Sequence, residues 1–411
     1  MSKQDHDNNR FLITGGGFYS KGAQAMLFVA VDELSTRFPG CDIYADINSP
    51  SPNNLDFTCV SILPWVWKSF VNPAYIILAQ IRRFLRKILT DYHPATSWLE
   101  SRKIVSSVDA IIDISGFALS SQFENASSDH YLDRIEAAKK FNVPVFLLPQ
   151  SFGPFDYDTD KIRICKRIKD LLPYPDCIYA REKHGYELLS NEYGMKNVIL
   201  SPDIVLQNKG VDYSHIYKDF GKKEKAFQLE PGNKVAIIPN HNMYRIGKKD
   251  SILSCYKLVI NELWSKGYCV YLISHTRMDE EICDDIAAAL EGKTLYRISS
   301  ELKVWEFESL ITNFDFVICS RYHGIVHSIK NGVPVISLGW AVKYDELMSL
   351  FDQQQYNLDV RNDEDMSRVT EVLKDMEINY RDNSSVIKSK LSQYQSKGCF
   401  DTISDHLMSR P

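Results

Sequence analysis

Ser320-Arg321-Tyr322-His323-Gly324 stands between an apolar run, Phe316 to Cys319, and a stretch with helical spacing that continues to Lys330. Where a strand ends and a helix starts, backbone N–H groups and the helix dipole favour an anion. A guanidinium beside them adds charge-assisted donors, and an imidazole can move a proton near neutral pH. Arg321 and His323 are therefore the candidate catalytic pair, with Tyr322 and Gly324 as flanking contacts. A lone histidine more often packs than reacts. The functional reading rests on Arg, His, strand end and helix start coinciding. His323 and His327 are four apart, which suggests metal, but the metalloprotease pattern needs Glu where Gly324 stands. No metal site is expected.

Weaker candidates sit at other strand ends. Gly15-Gly16-Gly17, then Gly22, forms a glycine-rich turn before a helix, where Gly16, Gly17 and Ser20 could contact an anion. The dinucleotide fingerprint needs glycine where Ser20 stands. The P-loop needs Lys and Ser/Thr after Gly22, where Ala23 and Gln24 follow. Gln150 and Ser151 end the run VPVFLLPQS, Arg181 ends CIYAR, and His275 closes YLISH. Trp340 and Lys343 follow GVPVISLG. Polar residues at such ends face the crevice of an open α/β sheet.

The elements that must hold these residues alternate in kind. Strands are read at 11–16, 41–47, 108–116, 143–154, 177–182 and 197–206, with helices at 23–37, 131–141 and 160–172. A polar stretch from Gln207 to Asn233 marks a boundary. Strands follow at 234–240, 267–275, 294–299, 315–324 and 333–339, with helices at 250–266, 279–290, 304–313, 323–331 and 344–351. Uniformly apolar strands suit parallel sheets covered on both faces. The expected fold is α/β, with two Rossmann-like doubly wound domains facing a cleft. The divisions are residues 1–210, 230–362 and a helical tail at 363–411.

Composition narrows the partners. A net charge of −5 in 411 residues leaves no basic footprint for nucleic acid. Nine cysteines, an odd count without a CxxC pair, suit a reducing, cytoplasmic setting. The polar start, MSKQDHDNNR, has no signal-like apolar core, and no run reaches about 18 apolar residues. Residues 65–89 combine aromatics, an aliphatic run and Arg82, Arg83, Arg86 and Lys87. They read as a core helix with a solvated basic end, interrupted at Pro73. The sharper reading is peripheral contact with anionic lipid on the inner face of a membrane.

The motifs GGGFYSKGAQAML, IDISGFALS, LPQSFGPF, ARE, SPDIVL, VAIIPN, LISH and SRYHGIVHSIKNGVPVISLGWAVKY occur in this order. Together they resemble the polysaccharide pyruvyltransferase family over roughly residues 11–350. The resemblance implies a GT-B-like fold, phosphoenolpyruvate as donor and no further cofactor. It implies a glycan or lipid-linked sugar acceptor whose hydroxyl pair receives a pyruvate ketal. It makes Arg321 and His323 donor-site residues and Arg181 a second basic contact. Ser20 departs from the asparagine that the family often has there. The alternative reading is a glycosyltransferase of the same architecture that uses a nucleotide sugar.

Overall fold

In the computed structural model, which describes residues 8–72, 74–77, 96–221, 227–290 and 295–409, the apolar runs become two sheets in which every pairing is parallel. The first has the order β3-β2-β1-β4-β5-β6-β7. Its strands are β1 (Arg10–Thr14), β2 (Asp42–Asp46), β3 (Thr58–Val60), β4 (Ala110–Asp113), β5 (Val145–Gln150), β6 (Cys177–Ala180) and β7 (Val198–Leu200). The second has the order β10-β9-β8-β11-β12-β13. It consists of β8 (Lys234–Ile238), β9 (Cys269–Ile273), β10 (Tyr296–Ile298), β11 (Phe316–Cys319), β12 (Val335–Gly339) and β13 (Asn357–Asp359). Strand order reverses between β1 and β4 and between β8 and β11. Crevices open at such switch points, so the two pairs of loops that follow these strands frame the site.

The inner strands are buried because helices cover both faces of each sheet. Every residue of β4, β5, β6, β11 and β12 is buried. Two three-residue strands, β3 and β13, were absent from the sequence reading. Asn357-Leu358-Asp359 carries one apolar side chain and offers no pattern to detect. The expected strand at 197–206 stops at Leu200. Asp203 then accepts a hydrogen bond from Val205 N (3.0 Å) and caps a short helix, Ile204–Gln207. The expected helix at 131–141 begins earlier, at Asn125. Of residues 65–89, Pro64–Val71 form a helix whose Trp67 indole donates to Asp46 Oδ2 (3.1 Å). The basic cluster at 82–87 lies outside the described residues.

Residues 363–411 do not act as one unit. The helix Val369–Tyr394 lies along the second domain, where Ser384 donates to the Gly332 carbonyl (2.6 Å). The last helix, Cys399–Met408, returns to the first domain, where His406 pairs with Asp176 (3.2 Å) and Asp401 with Arg37 (2.6 Å). Among the described residues no helix is long and apolar enough to cross a membrane.

Candidate functional site

The helix Tyr322–Lys330 starts directly after β11, with Arg321 as its N-cap residue. The strand-to-helix turn is tight. A Cβ on Gly324 would lie 2.6 Å from Cys319 Sγ, so only glycine lets the helix leave the strand here. His323 projects from the first turn against the other domain. A Cβ on Gly22 would lie 2.3 Å from the imidazole, so this glycine is what admits His323 to the start of the helix Lys21–Arg37. The imidazole Nε2 stands 3.7 Å from Asp203 Oδ2, beyond hydrogen-bond range. Burial drives its pKa down to about 3, and the Asp203 carboxylate only partly opposes this. His323 is therefore neutral at pH 7.

Behind His323 lies a closed charge cluster. Arg181 is buried, and each of its three nitrogens is engaged: Nε donates to Glu182 Oε1 (2.9 Å), Nη1 to Asp203 Oδ2 (2.9 Å) and Nη2 to Ser151 Oγ (2.7 Å). Ser151 in turn donates to Glu182 Oε1 (2.8 Å). The guanidinium carbon sits 4.3 Å from the Tyr322 ring centroid. Arg181 thus fixes Asp203 and Tyr322 and faces no open space. Gln150 departs further from its strand-end expectation. It is fully buried, accepting from Tyr131 Oη (3.1 Å) and donating to the Leu148 carbonyl (3.2 Å). Its strand continues into packed side chains, so its polar head meets the protein interior.

Lys343 differs from both arginines. It lies in the first turn of the helix Val342–Leu350, after β12, and its ammonium approaches the rings of Phe117 (5.2 Å) and Tyr322 (5.5 Å). Phe117 belongs to the first domain, so Lys343 spans the cleft. Among the described residues it has no ion pair. Burial lowers its pKa to about 8, and Arg181 adds to the shift while Glu182 opposes it. Trp340 packs on Tyr344, with ring centroids 5.0 Å apart.

The opposite side of His323 is built from the ends of β9 and β10. Arg321 turns this way: Nε donates to Asp279 Oδ2 (2.9 Å), Nη2 donates to Thr276 Oγ1 (3.1 Å), and Nη2 also meets Asp279 Oδ1. Lys21, from the first domain, donates to the carbonyls of His275 (2.9 Å) and Ser300 (2.7 Å) in the second. Burial lowers its pKa to about 8. A cavity of about 590 Å³ opens between these walls. In the glycine turn, Gly15 has φ +81° and a Cβ there would meet Ser115 Oγ at 2.2 Å, so the turn is a close approach to the β4 loop. A Cβ on Gly16 would meet Ile114 (2.9 Å), and one on Gly17 the Tyr19 ring (2.7 Å). Ser20 Oγ accepts from Ala23 N (3.2 Å) as a helix cap.

The structure therefore brings Arg181, Ser151, Tyr322, His323 and Lys343 to one side of the cleft, and Arg321, His275 and Ser20 to the other. Gln150 joins neither. His327 points away, with Nδ1 at 3.0 Å from Glu308 Oε1, so the i, i+4 histidines do not converge. Sequence reasoning passed over Lys21, Glu182, Asp203 and Asp279. Asp203 had a local signal, as a capping residue before the apolar run Ile204-Val205-Leu206. Asp279 also had one, as the third residue after Thr276 in a capping box, and Glu182 adjoins Arg181, whereas Lys21 acts through carbonyls more than 250 residues away, which no local pattern encodes.

The family model described as polysaccharide pyruvyl transferase matches residues 21–341, a span that contains Lys21, Arg181, His275, Arg321 and His323 and ends two residues before Lys343. No match was found among curated protein sequences. Among solved structures the chain is similar to UDP-GlcNAc 2-epimerase from Neisseria meningitidis bound to UDP-GlcNAc, with a TM-score of 0.55 at 14% identity, covering 98% of this chain and 100% of that one. It is similar to UDP-GlcNAc 2-epimerase from Methanocaldococcus jannaschii, with a TM-score of 0.54 at 12% identity, covering 89% and 92%. It is also similar to WaaG, a glycosyltransferase involved in lipopolysaccharide biosynthesis, with a TM-score of 0.50 at 9% identity, covering 97% and 100%. Such likeness establishes the fold: two Rossmann-like domains in the GT-B arrangement.

Proposed function

Because the chain belongs to the polysaccharide pyruvyl transferase family, we propose that it transfers pyruvate from phosphoenolpyruvate to a hydroxyl pair of a cell-surface polysaccharide or its precursor, forming a ketal. The observation that carries this reading is Lys343. Among the described residues it is an ammonium without an ion pair, directed across the cleft beside Tyr322 and close to the N-terminal turn that bears His323. A small, highly charged donor with a carboxylate and a phosphate suits such a place. The N-terminus of the helix Tyr322–Lys330 supports the same anion.

The residue chemistry follows from the charge states. His323 is neutral, so it is ready to accept a proton before it can give one. One acceptor hydroxyl attacks C2 as the imidazole takes its proton, and the imidazole returns a proton to the methylene carbon, which becomes a methyl group. The C2–O bond to phosphate then breaks, leaving an oxocarbenium-like centre stabilised by the adjacent carboxylate. The second hydroxyl closes the ring, and its proton leaves with phosphate. Arg181 works at one remove: it holds Asp203 and Tyr322, which set the position of His323.

The test is to incubate the enzyme with a panel of glycan acceptors and either phosphoenolpyruvate or nucleotide sugars, then read product mass and free phosphate. The reading expects one phosphate released per acceptor, with a new carboxylate and two hydroxyls lost. Extension by one sugar from a nucleotide sugar, without phosphoenolpyruvate consumption, would replace it with glycosyl transfer.

Nine free cysteines, none in a disulfide, support a reducing, cytoplasmic setting. A lipid-linked acceptor would bring the enzyme to the inner face of a membrane. Exposed Leu99 shares the helix Trp98–Ser107 with Arg102 and Lys103, and exposed Ile77 follows the helix that carries Lys68, a composition that suits anionic lipid. Co-sedimentation with anionic vesicles that weakens as salt rises is expected. No binding at low salt would remove the proposal.

A further inference from the structure

The wall that carries Lys343 belongs to the second domain, and a second residue of the same helix holds that wall to the first. Val342–Leu350 presents Lys343 in its first turn and Glu346 one turn later. Residues three apart on a helix share a face. The Lys343 ammonium lies 5.2 Å from the Phe117 ring centroid, and the Glu346 carboxylate reaches the chain that follows β6. There Oε1 accepts from His184 N (3.0 Å) and Oε2 accepts from Lys183 N. One side chain of the second domain thus takes two backbone amides of the first.

These amides are open to it for a traceable reason. Lys183–Glu187 is helical and runs on into a further helical turn, Leu188–Glu192. The first amides of a helix have no partner inside it. Glu182 precedes them, yet its side chain does not cap them. Its carboxylate is turned into the first domain, where Oε1 accepts from Arg181 Nε (2.9 Å) and Ser151 Oγ (2.8 Å). The Arg181 cluster withdraws the local carboxylate, and Glu346 takes its place from across the cleft. Hydrogen bonds to an ionised acceptor are stronger than neutral ones, and a pair of them fixes orientation as well as distance. Lys21 makes the mirror contact on the other flank, an ammonium of the first domain on two carbonyls of the second. His323 stands between the two. Gly22, next to Lys21, packs on its ring, and Asp203 of the Arg181 cluster faces its Nε2.

Building on the donor reading of Lys343, we infer that Glu346 is a positioning residue: it latches the helix Val342–Leu350 to the first domain and so sets the Lys343 ammonium at the donor. Substrates enter a cleft that opens, and opening parts Glu346 from Lys183 and His184 while leaving both helices intact. Closing restores the two hydrogen bonds and returns Lys343 to Phe117. The Glu346 carboxylate is spent on backbone amides, so it acts on the donor only through the helix it shares with Lys343.

Hydrogen exchange on the full chain, read by mass spectrometry, reports the latch without any substrate. In Glu346→Ala the peptide containing Lys183 and His184 should exchange about tenfold faster than in wild type, with the peptides of β5 and β11 unchanged. Glu346→Gln keeps the length and one acceptor oxygen, and its exchange should fall between the two. Calorimetric titration with phosphoenolpyruvate then reads the consequence. Glu346→Ala should weaken binding about tenfold, within the range of coupling between linked sites. Because the latch acts through Lys343, that loss should vanish in the Lys343→Met background, where Glu346→Ala adds nothing further. Unchanged exchange at Lys183 and His184, exchange accelerated across both sheets, or full additivity of the two substitutions would each overturn the assignment. Faster exchange confined to that peptide, in a protein that does not bind phosphoenolpyruvate, would support the latch while removing the donor reading of Lys343.

Discussion

Arg181 and Lys343 face each other across Tyr322, and they have opposite fates. Arg181, after β6, is enclosed by Glu182, Asp203 and Ser151, and its charge is cancelled inside the first domain. Lys343, after β12, meets aromatic rings and, among the described residues, has no ion pair. Both are cations at the C-terminal end of a parallel sheet, where crevice position alone would make either a ligand contact. What separates them is the carboxylates that other loops deliver. The first cluster holds the machinery in place, and the second leaves a charge available.

Substitution should pull the two apart. Arg181→Met leaves Asp203 and Glu182 buried without their cation, a loss of about 3–5 kcal/mol. Its melting temperature should fall by many degrees, and activity should fall with the folded fraction. Lys343→Met removes a partly buried ammonium that has no ion pair among the described residues, so its melting temperature should stay near that of wild type. Equal thermal shifts in the two variants, read by calorimetry, would erase the distinction.

A smaller effect tests the buried histidines. Burial holds His130 and His323 at a pKa of about 3 and His275 well below its ordinary value, against about 6.5 when unfolded. The unfolded chain takes up these protons first, so the stability they contribute is complete above pH 6.5 and drains as pH falls. Asp46, raised to about 6 by burial, runs the other way and gains as pH falls through 6. Three histidines against two raised carboxyls, Asp46 and the more weakly shifted Asp133, predict a lower melting temperature at pH 5 than at pH 7. A higher one at pH 5 would contradict these charge states.

Much of this arrangement was legible in the residues. Apolar runs such as FLLP and FVIC announced parallel sheets, and Ser320 to Gly324 marked the helix start that carries His323. What stayed hidden depends on distant pairing. Arg321 reads as a free anion contact until Asp279 is seen to occupy its fork. Gln150 reads as a crevice residue until Tyr131 covers it. Lys21 sits in a glycine turn that matched no phosphate motif, and its partners are the carbonyls of His275 and Ser300, atoms that sequence does not distinguish.

The central claim is that the side of the cleft at Lys343 holds the donor, and calorimetric titration with phosphoenolpyruvate tests it most directly. Each hydrogen bond to a charged group is worth about 1.5–3 kcal/mol, so Lys343→Met should weaken binding about ten- to a hundredfold. Because the Lys343 pKa is about 8, wild-type affinity should fall as pH rises through that value, and Lys343→Arg should flatten the fall. Unchanged phosphoenolpyruvate affinity in Lys343→Met, or no binding by the wild-type enzyme, would contradict the account.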